Sequence, residues 1–168
     1  RAVTISANIN EDYTLTEAMA IMRIEKGHVA GGELDGRTTP DDLGLNKLIS
    51  SKKEFIGRRL LKREGFIDPK RPKLVGLIPI DGKSRIRTGS ILVKDPNASL
   101  PMPKLGHVSS GAYLSPTLKH PISLGLITGG TDRIGETVWA TSPLHGETNE
   151  VKIVDPVFYD KRGERLNG

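Results

Sequence analysis

Apolar residues first recur at helical intervals around residue 15. Thr14 and Glu17 have the spacing of a capping box, and Leu15, Ala18, Met19 and Met22 follow on one face. Gly27 is a natural stop. Ile21 and Ile24 put apolar side chains on the other faces, so the pattern predicts a helix buried on most sides. Arg23 and Glu25, near its end, then cannot be ordinary surface charges and need partners or a ligand. Thr39-Pro40-Asp41-Asp42 writes a second start, with a cap, a proline at the first helical position and acids that complement the dipole. That helix should be short and end near Gly44. From Lys53 to Arg63 the pattern is helical again, and Gly65 with Asp68 and Pro69 marks a break.

After Pro72 the texture changes to short β-rich runs: Leu74 to Ile80, Ser90 to Val93, Leu105 to Ser110, Ile122 to Thr128, Thr137 to Thr141 and Glu150 to Val154. Asp81-Gly82, Asp95-Pro96-Asn97, Gly129-Gly130 and His145-Gly146 supply the turns. No long helix fits between the runs, so their pairing should be largely antiparallel. Closure into a small barrel would remove the edges that so many short strands expose. The expected class is therefore α+β, a helical part followed by a six-stranded antiparallel β-barrel. The first 65 residues offer helices and loops without the strands of a conventional α/β unit, and read as a portion cut from a larger domain.

Composition narrows the function classes. Aromatics are only 4% of the chain, so the core must rest on Ile, Leu and Val and stacking surfaces are scarce. No apolar run approaches the roughly 18 residues of a membrane span, and residues 1–13 lack the order of a signal peptide. A soluble, cytoplasmic protein is expected. Without cysteine there is no disulfide, thiolate nucleophile or cysteine metal site, and redox chemistry would need a bound cofactor. The formal charge of +5 favours an anionic partner, whether nucleic acid, an acidic subunit or a polyanionic small molecule. The densest basic stretch, Lys52 to Arg63, mixes six cations with Phe55, Ile56, Leu60 and Leu61, and reads as a helix with one wet face.

Three residues are candidate ligand contacts. Glu25 sits at the C-terminal end of a buried helix, where the dipole disfavours a negative charge. A flat heterocycle with adjacent N–H and NH2 groups, such as a pterin, could give its two oxygens parallel hydrogen bonds; an internal ion pair with Arg23 or another base is the plainer alternative. Tyr113 lies where a strand runs into a glycine, serine and proline bend open to close backbone approach, and either packs on a ligand ring or plugs the barrel mouth. Arg87 precedes the strand at Ile91, and either pairs with a carboxylate tail or is a solvated turn arginine. The four histidines, at 28, 107, 120 and 145, show no ligand spacing, so no metal is expected. No dinucleotide fingerprint, P-loop or nucleophile elbow is present, and no catalytic residue is assigned.

From about Leu15 to Gly168 the order of landmarks resembles the C-terminal portion of the aminomethyltransferase family, the T-protein of glycine cleavage and its relatives. The landmarks are Met22-Arg23-Ile24-Glu25-Lys26-Gly27, Thr39-Pro40-Asp41-Asp42-Leu43-Gly44-Leu45, Phe55-Ile56-Gly57-Arg58, Leu74-Val75-Gly76-Leu77, Gly106-His107-Val108, Ser115-Pro116-Thr117-Leu118 and Ile122-Ser123-Leu124-Gly125. Within the family, Asp35-Gly36-Arg37-Thr38-Thr39-Pro40, Ser51-Lys52-Lys53, Asp155-Pro156-Val157-Phe158-Tyr159-Asp160 and Gly163-Glu164-Arg165-Leu166 are similar to the branch of heterotetrameric sarcosine oxidase alpha subunits.

The resemblance implies that residues 1–70 are the C-terminal fragment of a folate-binding domain and 71–168 the family's C-terminal β-barrel. It implies tetrahydrofolate as cofactor, gripped at its pterin by Glu25, with flavin and NAD elsewhere in the assembly. Arg87 and Tyr113 match less closely, because the Arg87 turn diverges and the run before Ser115 is one residue longer than usual. The implied partners are the other oxidase subunits and the missing N-terminal part of the alpha subunit, with neither nucleic acid nor membrane. Such an assembly oxidises sarcosine and passes its one-carbon unit to tetrahydrofolate; the fragment alone would be inactive. Two other readings stand beside this one: part of a dimethylglycine dehydrogenase or glycine-cleavage aminomethyltransferase, and a basic barrel that binds nucleic acid.

Overall fold

The computed structural model describes residues 15–167. Six strands, β1 (Pro72–Pro79), β2 (Ile91–Val93), β3 (Lys104–Leu114), β4 (Pro121–Thr128), β5 (Thr137–Ser142) and β6 (Glu147–Val154), form a closed barrel in the order β1-β4-β3-β2-β5-β6. Every pairing is antiparallel, and β1 seals the barrel against β6 through Gly76↔Val154 and Leu77↔Ile153. All six sequence runs became strands, most of them slightly longer than their apolar centres. The α+β barrel expectation holds.

Period-two alternation sorts the barrel residues into two cores. Val75, Leu77, Leu92, Val108, Ile127, Val138, Val151 and Ile153 fill the interior, with Ile86 from the β1–β2 loop. Leu74, Ile122, Leu124 and Leu126 point the other way and join Ile24, Leu43 and Phe158 in a second cluster outside the barrel wall. This explains why β4 is apolar almost throughout: it is covered on both faces. Gly106 permits the β3–β4 approach, since a Cβ there would lie 2.0 Å from the Leu126 carbonyl oxygen.

The element bearing Ile24 is α1 (Leu15–Glu25). Thr14, its expected cap, lies outside the described residues. Gly27 ends the helix at φ 65° beneath the Pro156 carbonyl, where a Cβ would come within 2.5 Å. Burial on most sides is corrected: Ile21, Ile24 and Glu25 are buried, whereas Leu15 and Met19 are 66% and 60% exposed. Only the last turns of α1 reach the barrel wall.

The rest of residues 15–70 is more turn than helix, which corrects the expectation of a mostly helical part. Thr39 and Asp42 do form the reciprocal cap: the Asp42 carboxylate accepts from the Thr39 N–H at 2.8 Å and the Thr39 hydroxyl accepts from the Asp42 N–H at 3.3 Å. The chain then turns out at Gly44, φ 71°, and only a 3-10 turn, Asn46–Leu48, follows the cap. Between Lys53 and Arg63 the expected helix is replaced by turns and a single 3-10 turn, Leu60–Lys62. Gly57 stands at φ 94°, and Ile56 and Leu60 are exposed. A helix that short, with its apolar side uncovered, lacks the tertiary packing that would stabilise it. Gly65 does not break structure; it sits inside a four-residue helix, α2 (Glu64–Ile67).

Arg71 ties these turns to the start of β1. Its guanidinium donates to both oxygens of buried Asp42, at 2.5 to 3.1 Å, and to the carbonyls of Gly65 and Arg37. The Asp42 carboxylate holds Arg71 charged even more firmly than usual.

Candidate functional site

Two buried carboxylates face β3 from the non-barrel side. Glu25 closes α1 and is 5% exposed. Its main-chain carbonyl accepts from the N–H groups of Phe158 and Tyr159, both at 2.9 Å, so the chain after β6 caps the helix end. Lys26 adds a bond to the Asp160 carbonyl at 2.8 Å. This strap fixes the helix terminus and aims the Glu25 side chain at the bend after β3.

There the Ser115 hydroxyl donates to one Glu25 oxygen at 2.5 Å and the Thr117 hydroxyl to the other at 3.3 Å. Ser115 Oγ in turn accepts the Leu118 N–H at 2.9 Å, which fixes its orientation. No cation among the described residues pairs with Glu25. The alternative of an ion pair with Arg23 is corrected: Arg23 turns to Glu33, at 3.4 Å, and donates to Ser110 Oγ at 2.7 Å and the His28 carbonyl at 3.1 Å. A carboxylate has room for about four donors, and these hydroxyls fill only part of that capacity.

Glu33 is the other carboxylate, fully buried. It accepts from the Ala30 N–H at 2.8 Å and from the Ser110 hydroxyl, besides pairing with Arg23. Sequence reasoning missed both Glu33 and Ser110. The signal was present in Gly31-Gly32: a Cβ on Gly32 would stand 2.8 Å from the Ser109 carbonyl, so this loop needs glycine to lie against β3.

Strand β3 carries two bulges in this region. Six residues from Val108 to Tyr113 oppose four from Gly125 to Ile122, and the two additional residues bend the strand where Ser110 and Ser115 must face the carboxylates. Tyr113 pairs with Ile122 along the backbone, while its side chain lies outside the described residues.

Arg87 lies elsewhere. It donates both arms to Glu147, at 2.9 and 2.5 Å, in a polar cleft of about 880 Å³ that also takes in Ser84, Thr88, Gly111 and Asn149. The guanidinium holds the Glu147 carboxyl below its ordinary pKa. Arg87 is thus neither free in solvent nor beside Glu25; the link between them is β3 itself, which offers Gly111 to the Arg87 cleft and leads to Ser115 at the Glu25 site. A second cleft, of about 540 Å³, separates residues 35–42 from β3 and β4. His107 on its wall has a lowered pKa, because burial and then the charges of Lys104 and Arg37 disfavour the imidazolium.

Among the described residues no three His, Asp or Glu side chains are grouped to hold a metal, and no helix is long and apolar enough to cross a membrane.

The family described as glycine cleavage T-protein C-terminal barrel domain matches residues 73–160, the six strands and the strap that caps α1. The chain belongs to this family. As a member of the T-protein barrel family it is 43% identical to sarcosine oxidase subunit alpha of Rhizobium meliloti (strain 1021) over 153 residues, 90% of this chain but 15% of that protein. It is 36% identical to the subunit of the same name from Corynebacterium sp. (strain U-96), covering 91% of this chain and 16% of that one. Aminomethyltransferase of Prochlorococcus marinus (strain MIT 9313) is 31% identical over 141 residues, 82% of this chain and 35% of its own. The crystal structure of glycine cleavage system aminomethyltransferase T from Bartonella henselae shares the fold, with a TM-score of 0.66 at 20% identity over 87% of this chain and 39% of that chain. The T-protein barrel chain therefore spans about a sixth of the length of these oxidase subunits and about a third of that aminomethyltransferase.

Proposed function

We propose that the chain is the C-terminal, tetrahydrofolate-binding part of the alpha subunit of a heterotetrameric sarcosine oxidase. The observation that carries the reading is Glu25: a buried carboxylate with no cation among the described residues, steadied by Ser115 and Thr117 and with acceptor capacity to spare. Those oxygens suit the N–H and NH2 edge of a pterin, and a charge-assisted pair of that kind gives orientation as well as energy. Similarity to two alpha subunits across about nine-tenths of the chain points to the parent.

In the complete assembly a flavin in another subunit would take the electrons from sarcosine and return them to oxygen as hydrogen peroxide. The one-carbon unit would pass to tetrahydrofolate, leaving glycine and 5,10-methylenetetrahydrofolate. The role of this chain is positioning: Glu25 fixes the pterin, and with it the amines that must meet the one-carbon unit before water does. Arg87 and Tyr113 are assigned to the same ligand further along β3, Arg87 exchanging Glu147 for a ligand carboxylate.

Glu25→Gln in the whole enzyme should lower the yield of methylenetetrahydrofolate about 10- to 100-fold at subsaturating folate, the equivalent of one or two charged hydrogen bonds. Oxygen consumption with sarcosine should stay near its original rate. An unchanged folate product would remove Glu25 from the site. A second reading, part of a dimethylglycine dehydrogenase or of an aminomethyltransferase, is favoured by the relatives of the latter name. Turnover of dimethylglycine in place of sarcosine, or dependence on a lipoyl protein, would select it.

A further inference from the structure

Residues 47–67 combine two features that folded surfaces usually keep apart. Leu48, Phe55, Ile56, Leu60 and Ile67 are exposed, Leu48 by 78% and Ile56 completely. Between them stand Lys47, Lys52, Lys53, Arg59, Lys62 and Arg63, all exposed and, among the described residues, without a carboxylate partner. Arg58 takes the one acid within the basic stretch, Glu54, at 2.7 Å. Beside Leu48 and Phe55 opens a recess of about 410 Å³ whose wall is almost wholly apolar.

We propose that this segment docks a separate protein whose surface presents carboxylates around an apolar patch. Charge complementarity sets the sign of the partner: six uncompensated cations would repel a second copy of this segment and attract an acidic face. The apolar side chains set its class. They are mainly aliphatic, with little aromatic surface for stacking bases, which argues against nucleic acid. The segment is made of turns, the 3-10 turns Asn46–Leu48 and Leu60–Lys62, and the four-residue α2 rather than an amphipathic helix, which argues against a lipid surface. An apolar centre with a charged, solvated rim is the anatomy of a protein–protein contact. Aliphatic side chains would enter the recess side of the contact while the cations steer the encounter. The proposal rests on the reading above only in that the partner belongs to the assembly carrying this chain.

The intact assembly is treated with a carbodiimide, which couples a lysine amine directly to a carboxylate. Lys52, Lys53 or Lys62 should be joined to Asp or Glu of a separate polypeptide. The triple variant Lys52→Glu, Lys53→Glu, Lys62→Glu should then raise the dissociation constant for that polypeptide at least tenfold, as should Ile56→Ser to a smaller extent, while Lys83→Glu with Lys94→Glu leaves it unchanged. Coupling confined to the same polypeptide, coupling only between copies of this chain, or unaltered affinity of the triple variant would overturn the proposal. So would a triple variant that loses only single-stranded RNA or phosphatidylserine-vesicle binding. Glu25→Gln should not change the dissociation constant, so the docking surface and the folate reading fail independently.

Discussion

The Ser115 hydroxyl bonds in two directions at once, donating to the buried Glu25 carboxylate and accepting the N–H of Leu118. One side chain thus joins the end of α1 to the bend between β3 and β4. Ser115→Ala would strip Glu25 of its shorter hydrogen bond and orphan an amide. The expected cost is about 1–3 kcal/mol, the range for unsatisfied buried polar groups, read as a lower urea midpoint with unchanged slope. A change below about 0.5 kcal/mol would mean that Glu25 draws no support from this contact.

Arg23 and Glu33 should be coupled in a double-mutant cycle. Glu33 is fully buried, whereas the Arg23 side chain is 27% exposed, so the pair falls below the roughly 3–5 kcal/mol for breaking a fully buried ion pair. Arg23→Met is expected to destabilise by about 1–3 kcal/mol, and Glu33→Gln should recover part of that loss when combined with it. Strict additivity of the two changes would show that Ser110 and the Ala30 N–H satisfy Glu33 without the arginine.

What could be read from the sequence follows what is local. All six strands were visible because alternation and turn residues specify them within a few neighbours, and closure followed from the number of short strands. Glu25 was visible because its burial follows from the helix it ends. The helix expected over Lys53–Arg63 failed because spacing reports a face but not whether anything covers it, and Ile56 stays in solvent. Glu33 and Ser110 are 77 residues apart and Arg23 and Ser110 are 87 apart; no local pattern announces such a meeting. The partner of Arg87 was hidden for the same reason, Glu147 being 60 residues away across the barrel.

Gly106 should tolerate no side chain. A Cβ there would stand 2.0 Å from the Leu126 oxygen and 2.8 Å from the Ile127 Cα, both backbone atoms of the neighbouring strand. Gly106→Ala must therefore push β3 from β4 and loosen the interior around Val108 and Ile127. The loss is expected to exceed about 3 kcal/mol, at the upper end of overpacking effects. Gly36→Ala is the control: nothing lies within 4 Å of its Cβ position, and its stability change should stay within about 0.5 kcal/mol. Equal melting temperatures for the two variants would contradict the close β3–β4 approach.

His107 should make stability fall on mild acidification. Its imidazole titrates below the ordinary value of 6.5 in the folded chain, through burial first and then the charges of Lys104 and Arg37, against a smaller opposing pull from Asp35 and Glu33. The unfolded chain therefore binds the proton first as pH drops, so the contribution is complete above about 6.5 and declines as pH falls toward the folded value. The carboxylates of Asp41 and Asp35, lowered chiefly by bonds to Lys73 and Arg37, lose their contributions only in a more acidic window, below the usual carboxylate range. Between about pH 6.5 and 5 the slope belongs mainly to His107. His107→Asn should flatten that part of the urea-midpoint profile and leave the acid limb in place. A profile with the same slope in the variant would assign the loss to other groups.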